Sequence, residues 1–160
     1  MSKTGYLQHA RDWGITKDAI IRLSASLGGP FTYGDLAEEI EDHDGLLIDG
    51  RGYAGALEAV AKNLSRTEPL WTCMVINADT REVGDGFWGA NTADQRYSNA
   101  AGLSAQSREI WMKRQRDWCV AAARVELDPL SLPLRERESE LREEAAIWID
   151  LLLDERKGSE

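Results

Sequence analysis

The chain has 160 residues, 28 acidic against 19 basic side chains and a formal net charge of −9, with 42% hydrophobic and 29% charged residues. That composition suits one well-buried core at about 150 residues per domain and excludes a disordered polypeptide. The charge works against nucleic acid and membrane surfaces and in favour of a basic protein partner.

The apolar run Ala145 to Leu153 is interrupted by Asp150, and it is far shorter than the roughly 20 residues of a membrane span. MSKTGYLQHARDWG has no apolar signal-peptide core, so a cytoplasmic location is expected. Cys73, Cys119, His9 and His43 compose neither a disulfide framework nor a paired metal motif, and no metal or cofactor is expected.

In chain order, a first helix is predicted from about Thr16, its N-cap, to Leu27, ended by Gly28-Gly29-Pro30. Thr32 caps a second helix with Asp35 three residues on, an acidic capping box, and Leu36, Ala37 and Ile40 form its core face. DHDGLLIDGRG is a loop that Leu46, Leu47 and Ile48 pin to the core. A third helix runs from about Gly52 to Leu64, with Tyr53, Leu57, Val60 and Leu64 at helical spacing.

LWTCMVIN then reads as a strand and VGDGFW as a returning strand, a small β-hairpin. Residues 89 to 102 read as loop. Ser104 caps a long helix to about Val125, which Asp128-Pro129 and Pro133 break. A last amphipathic helix, about Leu134 to Arg156, pairs with it as an antiparallel hairpin. The fold class is therefore mainly α with a small β-hairpin. Residues 1–90 form a winged-helix-like domain and residues 91–160 a two-helix unit packed on it, the two separate or joined in one domain.

Thr32-Tyr33-Gly34-Asp35-Leu36-Ala37, followed by Ala54-Gly55-Ala56-Leu57 and a VIN-type strand, resembles the winged-helix domain of the O6-alkylguanine DNA alkyltransferases and alkyltransferase-like proteins. The resemblance covers about residues 30 to 88. It implies a helix-turn-helix whose second helix, about Gly52 to Leu64, enters the major groove. The family's reactive Pro-Cys-His-Arg-Val is absent, its region reading Thr72-Cys73-Met74-Val75-Ile76. Without a base beside it, a thiol of pKa about 8.5 is mostly protonated at neutral pH, so Cys73 reads as a small buried hydrophobe and not a nucleophile.

Two function classes follow. Residues 33 to 50 hold seven acids, Asp35, Glu38, Glu39, Glu41, Asp42, Asp44 and Asp49, and no Lys or Arg. That surface repels a duplex with one charge per roughly 1.7 Å. The leading expectation is a non-enzymatic recognition protein that offers these acids to a basic site on a partner protein. A phage or mobile-element inhibitor or regulator of a nucleic-acid-binding machine fits that description, its carboxylates mimicking phosphates. The alternative is a DNA-binding regulator or non-catalytic lesion reader using Arg51, Lys62, Arg66 and the Phe87-Trp88 tip.

Three further features carry bland readings. Asp42-His43-Asp44-Gly45 begins like a calcium loop, but its glycine comes two positions early, and a plain acidic turn is expected. VGDGFWG reads first as a strand with its aromatics docked on the core. Arg108, Lys113, Arg114 and Arg116 are expected to pair with the acids of the last helix.

Overall fold

The computed structural model describes residues 5–48, 53–65, 67–88 and 95–158. The chain is mainly helical with a two-stranded parallel sheet. Helix α1 spans Trp13–Leu27, and strand β1, Phe31–Thr32, leads directly into α2, Tyr33–Asp44. Helix α3, Tyr53–Lys62, precedes a 3-10 turn, Trp71–Met74, and strand β2, Val75–Ile76. Then come α4, Asp85–Trp88; α5, Gln95–Ala101; α6, Ala105–Leu127; and α7, Leu132–Gly158. Among the described residues no helix is long and apolar enough to cross a membrane.

Local chemistry sets the ends of α2. The Thr32 hydroxyl accepts the Asp35 N–H at 3.1 Å, and the Asp35 carboxylate accepts the Thr32 N–H at 3.0 Å, so two donors that a helix start leaves unpaired are satisfied reciprocally. Gly45 closes the helix in the left-handed region at φ 67°, its N–H donating to the Glu41 carbonyl. Helix α1 starts earlier than Thr16. Asp12 stands at its N-cap but spends its carboxylate on the Gln8 N–H and on Arg11, and Thr16 is fully buried inside the helix.

The β-hairpin is corrected. Phe31 pairs with Val75 and Thr32 with Ile76 in parallel register, across more than forty residues of sequence. Trp71–Met74, expected as strand, winds into the 3-10 turn. The chain does reverse after β2, where Asn77 donates its N–H to Glu82 and accepts that of Arg81, but no ladder follows. Gly84 and Gly86 are weak strand formers. The next residues coil into α4, which buries Phe87 edge-on against Trp88 and Tyr97. Residues 95–101, expected as loop, are helical, and Tyr97 packs inward with its hydroxyl 2.8 Å from that of Thr72. Pro133 lies in the first turn of α7, where its missing N–H costs nothing.

One core gathers Ile20 of α1, Phe31 of β1, Leu36 and Ile40 of α2, Leu70, Trp71, Cys73, Met74 and Val75, and Trp111, Met112, Cys119 and Ala123 of α6. Helix α6 also carries a second, smaller cluster, Trp118 and Ala121, which Leu141 and Ala145 of α7 cover. It thus belongs to the main core and to the helical hairpin alike.

Candidate functional site

The acids of α2 divide by their partners. Asp35 is held in the capping box. Arg22, reaching over from α1, bonds Glu39 at 2.7 Å and stands 3.6 Å from Asp44, so one guanidinium offsets two carboxylates that are each about a quarter exposed or less. His43 lies 3.2 Å from Asp44 on its other side. Glu38, Glu41 and Asp42 are exposed and have no ion-pair partner among the described residues. At positions i, i+3 and i+4 they share one helix face, with Cβ atoms about 5–6 Å apart. Asp49 lies outside the described residues.

Of the expected DNA-contacting set, Arg51 and Arg66 also lie outside the described residues. Lys62 pairs with Glu58 at 3.0 Å on its own helix. Phe87, expected at an exposed tip in the DNA-binding alternative, is only 9% exposed because its ring fills space between Trp88, Tyr97 and Trp111. Trp88 is half-buried, and the Arg108 guanidinium stacks over its ring at 4.8 Å. These two aromatics work as packing residues here.

Cys73 and Cys119 are both fully buried, with their sulfurs 3.7 Å apart. The sequence gives no sign of this meeting, since the residues lie 46 positions apart on different elements. Burial pushes the Cys119 thiol well above its ordinary pKa, and the neighbouring Cys73 adds to the rise. A thiol held protonated and shut from solvent is a poor nucleophile. Among the described residues no group of three His, Cys, Asp or Glu side chains is placed to hold a metal ion.

The basic cluster of α6 is corrected in part. Arg114 does reach α7, bonding Glu144 at 2.9 Å. Lys113 pairs within its own helix with Asp117, Arg116 donates its Nε to the Cys73 carbonyl at 3.0 Å, and Arg108 donates to the Ala101 carbonyl. These three point away from α7 because a helix advances about 100° per residue, which sets residues 108, 113 and 116 on a different face from 114. They line a groove between α6, the Gly28–Pro30 loop and the turn at Arg81, with a volume of about 990 Å³. A stripe of bases along one helix hints at such a groove, but Arg81 across it has no local signature.

Fold and charge together define a mainly helical protein with a small parallel sheet, an acidic helix face and a separate arginine-bearing groove. No family model matches the chain, and neither a curated protein nor a solved structure is significantly similar to it.

Proposed function

We propose that this is a non-enzymatic recognition protein that docks the exposed face of α2 onto a basic site of a partner protein. The observation that carries the reading is the division of the α2 acids: Glu39 and Asp44 are offset by Arg22, while Glu38, Glu41 and Asp42 stand exposed without a cation among the described residues. A cluster of like charges on a rigid, capped helix repels itself in the free protein, and a basic partner relieves that repulsion on binding. In this reading the carboxylates take the place of a nucleic acid's phosphates, and residues 1–90 serve as a winged-helix-like scaffold that presents them. Inhibition or regulation of a nucleic-acid-binding machine is the activity that such mimicry would have. The partner surface is rich in Lys and Arg.

The test is fluorescence anisotropy with a labelled lysine-rich peptide and, separately, a labelled DNA duplex, from low to physiological salt. The variant Glu38→Lys/Glu41→Lys/Asp42→Lys raises the formal charge by six, from −9 to −3. Three exposed pairs at about 0.2–1 kcal/mol each predict a loss of peptide affinity of roughly tenfold, most visible at low salt. Equal affinity in the variant, or tighter binding of the duplex than of the peptide, refutes the reading.

A further inference from the structure

The groove along α6 goes beyond the acidic face and is independent of it. Among the described residues, the arginines with no carboxylate partner are Arg81, Arg108, Arg116, Arg124 and Arg135. The first three line the groove. Arg124 stands at its edge, one nitrogen 3.3 Å from where a Cβ on Gly28 would lie. In a chain with nine more acids than bases, four unpaired guanidinium groups around one concavity run against the overall charge.

The lining carboxylates do not cancel them. Asp117 is taken by Lys113, leaving Glu82 and Glu109 against Arg81, Arg108 and Arg116, a balance of +1 before Arg124 is counted. Arg108 is only partly satisfied. Its guanidinium has the Ala101 carbonyl and the Trp88 ring, but its Nε is buried without a hydrogen-bond partner. A guanidinium offers five donors, and its planar fork matches the oxygens of a phosphate. Arg81 holds a left-handed backbone at φ 62°, unusual for a residue with a side chain, at the turn that brings it to the groove.

The groove also has apolar lining, with Pro30, Val83 and Val120 partly exposed or exposed to it beside the polar Gln106. The volume lies at the upper end of the roughly 300–1,000 Å³ typical of small-molecule sites. We propose that this groove binds a free nucleoside phosphate, its phosphate held by Arg81, Arg108 and Arg116 and its base laid against the apolar lining at Pro30, Val83 and Val120. The convergence of unpaired arginines selects the anion, and the apolar lining beside them receives the group attached to it.

Isothermal titration with AMP, adenosine and inorganic phosphate tests this on the full chain. AMP is expected to bind, more weakly as salt rises; adenosine, lacking the charge, is expected to give no measurable heat. Arg81→Gly removes one guanidinium at a backbone position that glycine adopts freely, so the fold is kept. Combined with Arg116→Lys, which retains charge but loses the fork, it should weaken AMP by about tenfold or more. Arg135→Gln, an unpaired arginine elsewhere, should leave AMP binding unchanged, and thermal melting confirms that each variant is folded. Absence of AMP binding to the wild-type chain overturns the proposal. So does equal binding of AMP and adenosine, undiminished affinity in the double variant, or a preference for duplex DNA over AMP.

Discussion

Replacing Gln115 by leucine removes one acceptor from the middle of the protein and changes side-chain volume little. Gln115 is 2% exposed, and its Oε1 accepts the backbone N–H of Leu70, a fully buried residue, at 3.2 Å. That bond fixes the start of the 3-10 turn to α6, and the same turn offers the Cys73 carbonyl to Arg116. The substitution forfeits a net hydrogen bond of about 1 kcal/mol and leaves a buried N–H that costs about 1–3 kcal/mol when unpaired. Leucine's better apolar burial offsets about 1 kcal/mol of that. A net loss of about 2 kcal/mol is expected, which for a chain of this size lowers Tm by roughly 4–8 °C. Urea denaturation followed by tryptophan fluorescence measures it, with an unchanged m-value showing that the denatured state is unaffected. Hydrogen exchange should show the Leu70 amide losing protection. A variant within about 0.5 kcal/mol of the wild type would refute the reasoning, because a surface-like response is incompatible with an unpaired buried donor.

Two other outcomes follow from the same fold. Gly45 ends α2 at φ 67°, and a methyl group added at its Cα would have no neighbour within 4 Å, so Gly45→Ala meets no clash and isolates the backbone effect. A loss of about 1 kcal/mol in chemical denaturation is expected, and a gain would mean that the left-handed cap is not populated. The native thiols should resist Ellman's reagent at pH 8 and react only in denaturant. Because the Cys119 thiol is raised in the folded state, its unfolded form loses a proton first as pH climbs past about 8.5. Its contribution is therefore complete below that pH and declines above it, by at most about 1.4 kcal/mol per pH unit, until the folded thiol itself ionises. Cys119→Ala should flatten that alkaline slope in denaturation curves; an identical slope would contradict the assignment.

The parts of this fold that the sequence discloses are those whose physics is local. Thr32 and Asp35 lie three residues apart, so their reciprocal bonds are legible without any tertiary knowledge, and the same holds for Ser104, whose hydroxyl accepts the Ser107 N–H. What fails is decided by distant partners. Val83 to Trp88 reads as a strand from its bulky residues, yet Phe87 sits in a short helix with its ring against Tyr97 and Trp111. The parallel register of Phe31 with Val75 and the meeting of Cys73 with Cys119 join segments more than forty residues apart. The acidic site is half legible for the same reason: its residue types are visible along α2, but Arg22, which offsets Glu39 and Asp44, arrives from another helix.

Helix α6 shows why charge counting along one segment misleads. It is packed on three sides, and each side draws a different composition from the same 3.6-residue repeat. Trp111, Cys119 and Ala123 turn to the main core; Arg114, Trp118 and Ala121 turn to α7; Arg108, Met112, Lys113 and Arg116 turn to the groove. A helix with three occupied faces has no single apolar stripe, so its sequence looks like a solvated, charge-mixed rod. Its bases are nonetheless sorted. Arg114 reaches a carboxylate on the facing helix, whereas Arg108 and Arg116 are held by backbone carbonyls, and Arg108 also by the Trp88 ring, which orient a guanidinium without neutralising it. Carbonyl-held arginines in an acidic protein keep their full charge for a ligand, and the acids of α2 keep theirs at Glu38, Glu41 and Asp42. The two proposals therefore assign the surfaces opposite preferences, one for a cationic partner and one for a small anion. Salt should weaken both interactions, while charge reversal on α2 should weaken only the first.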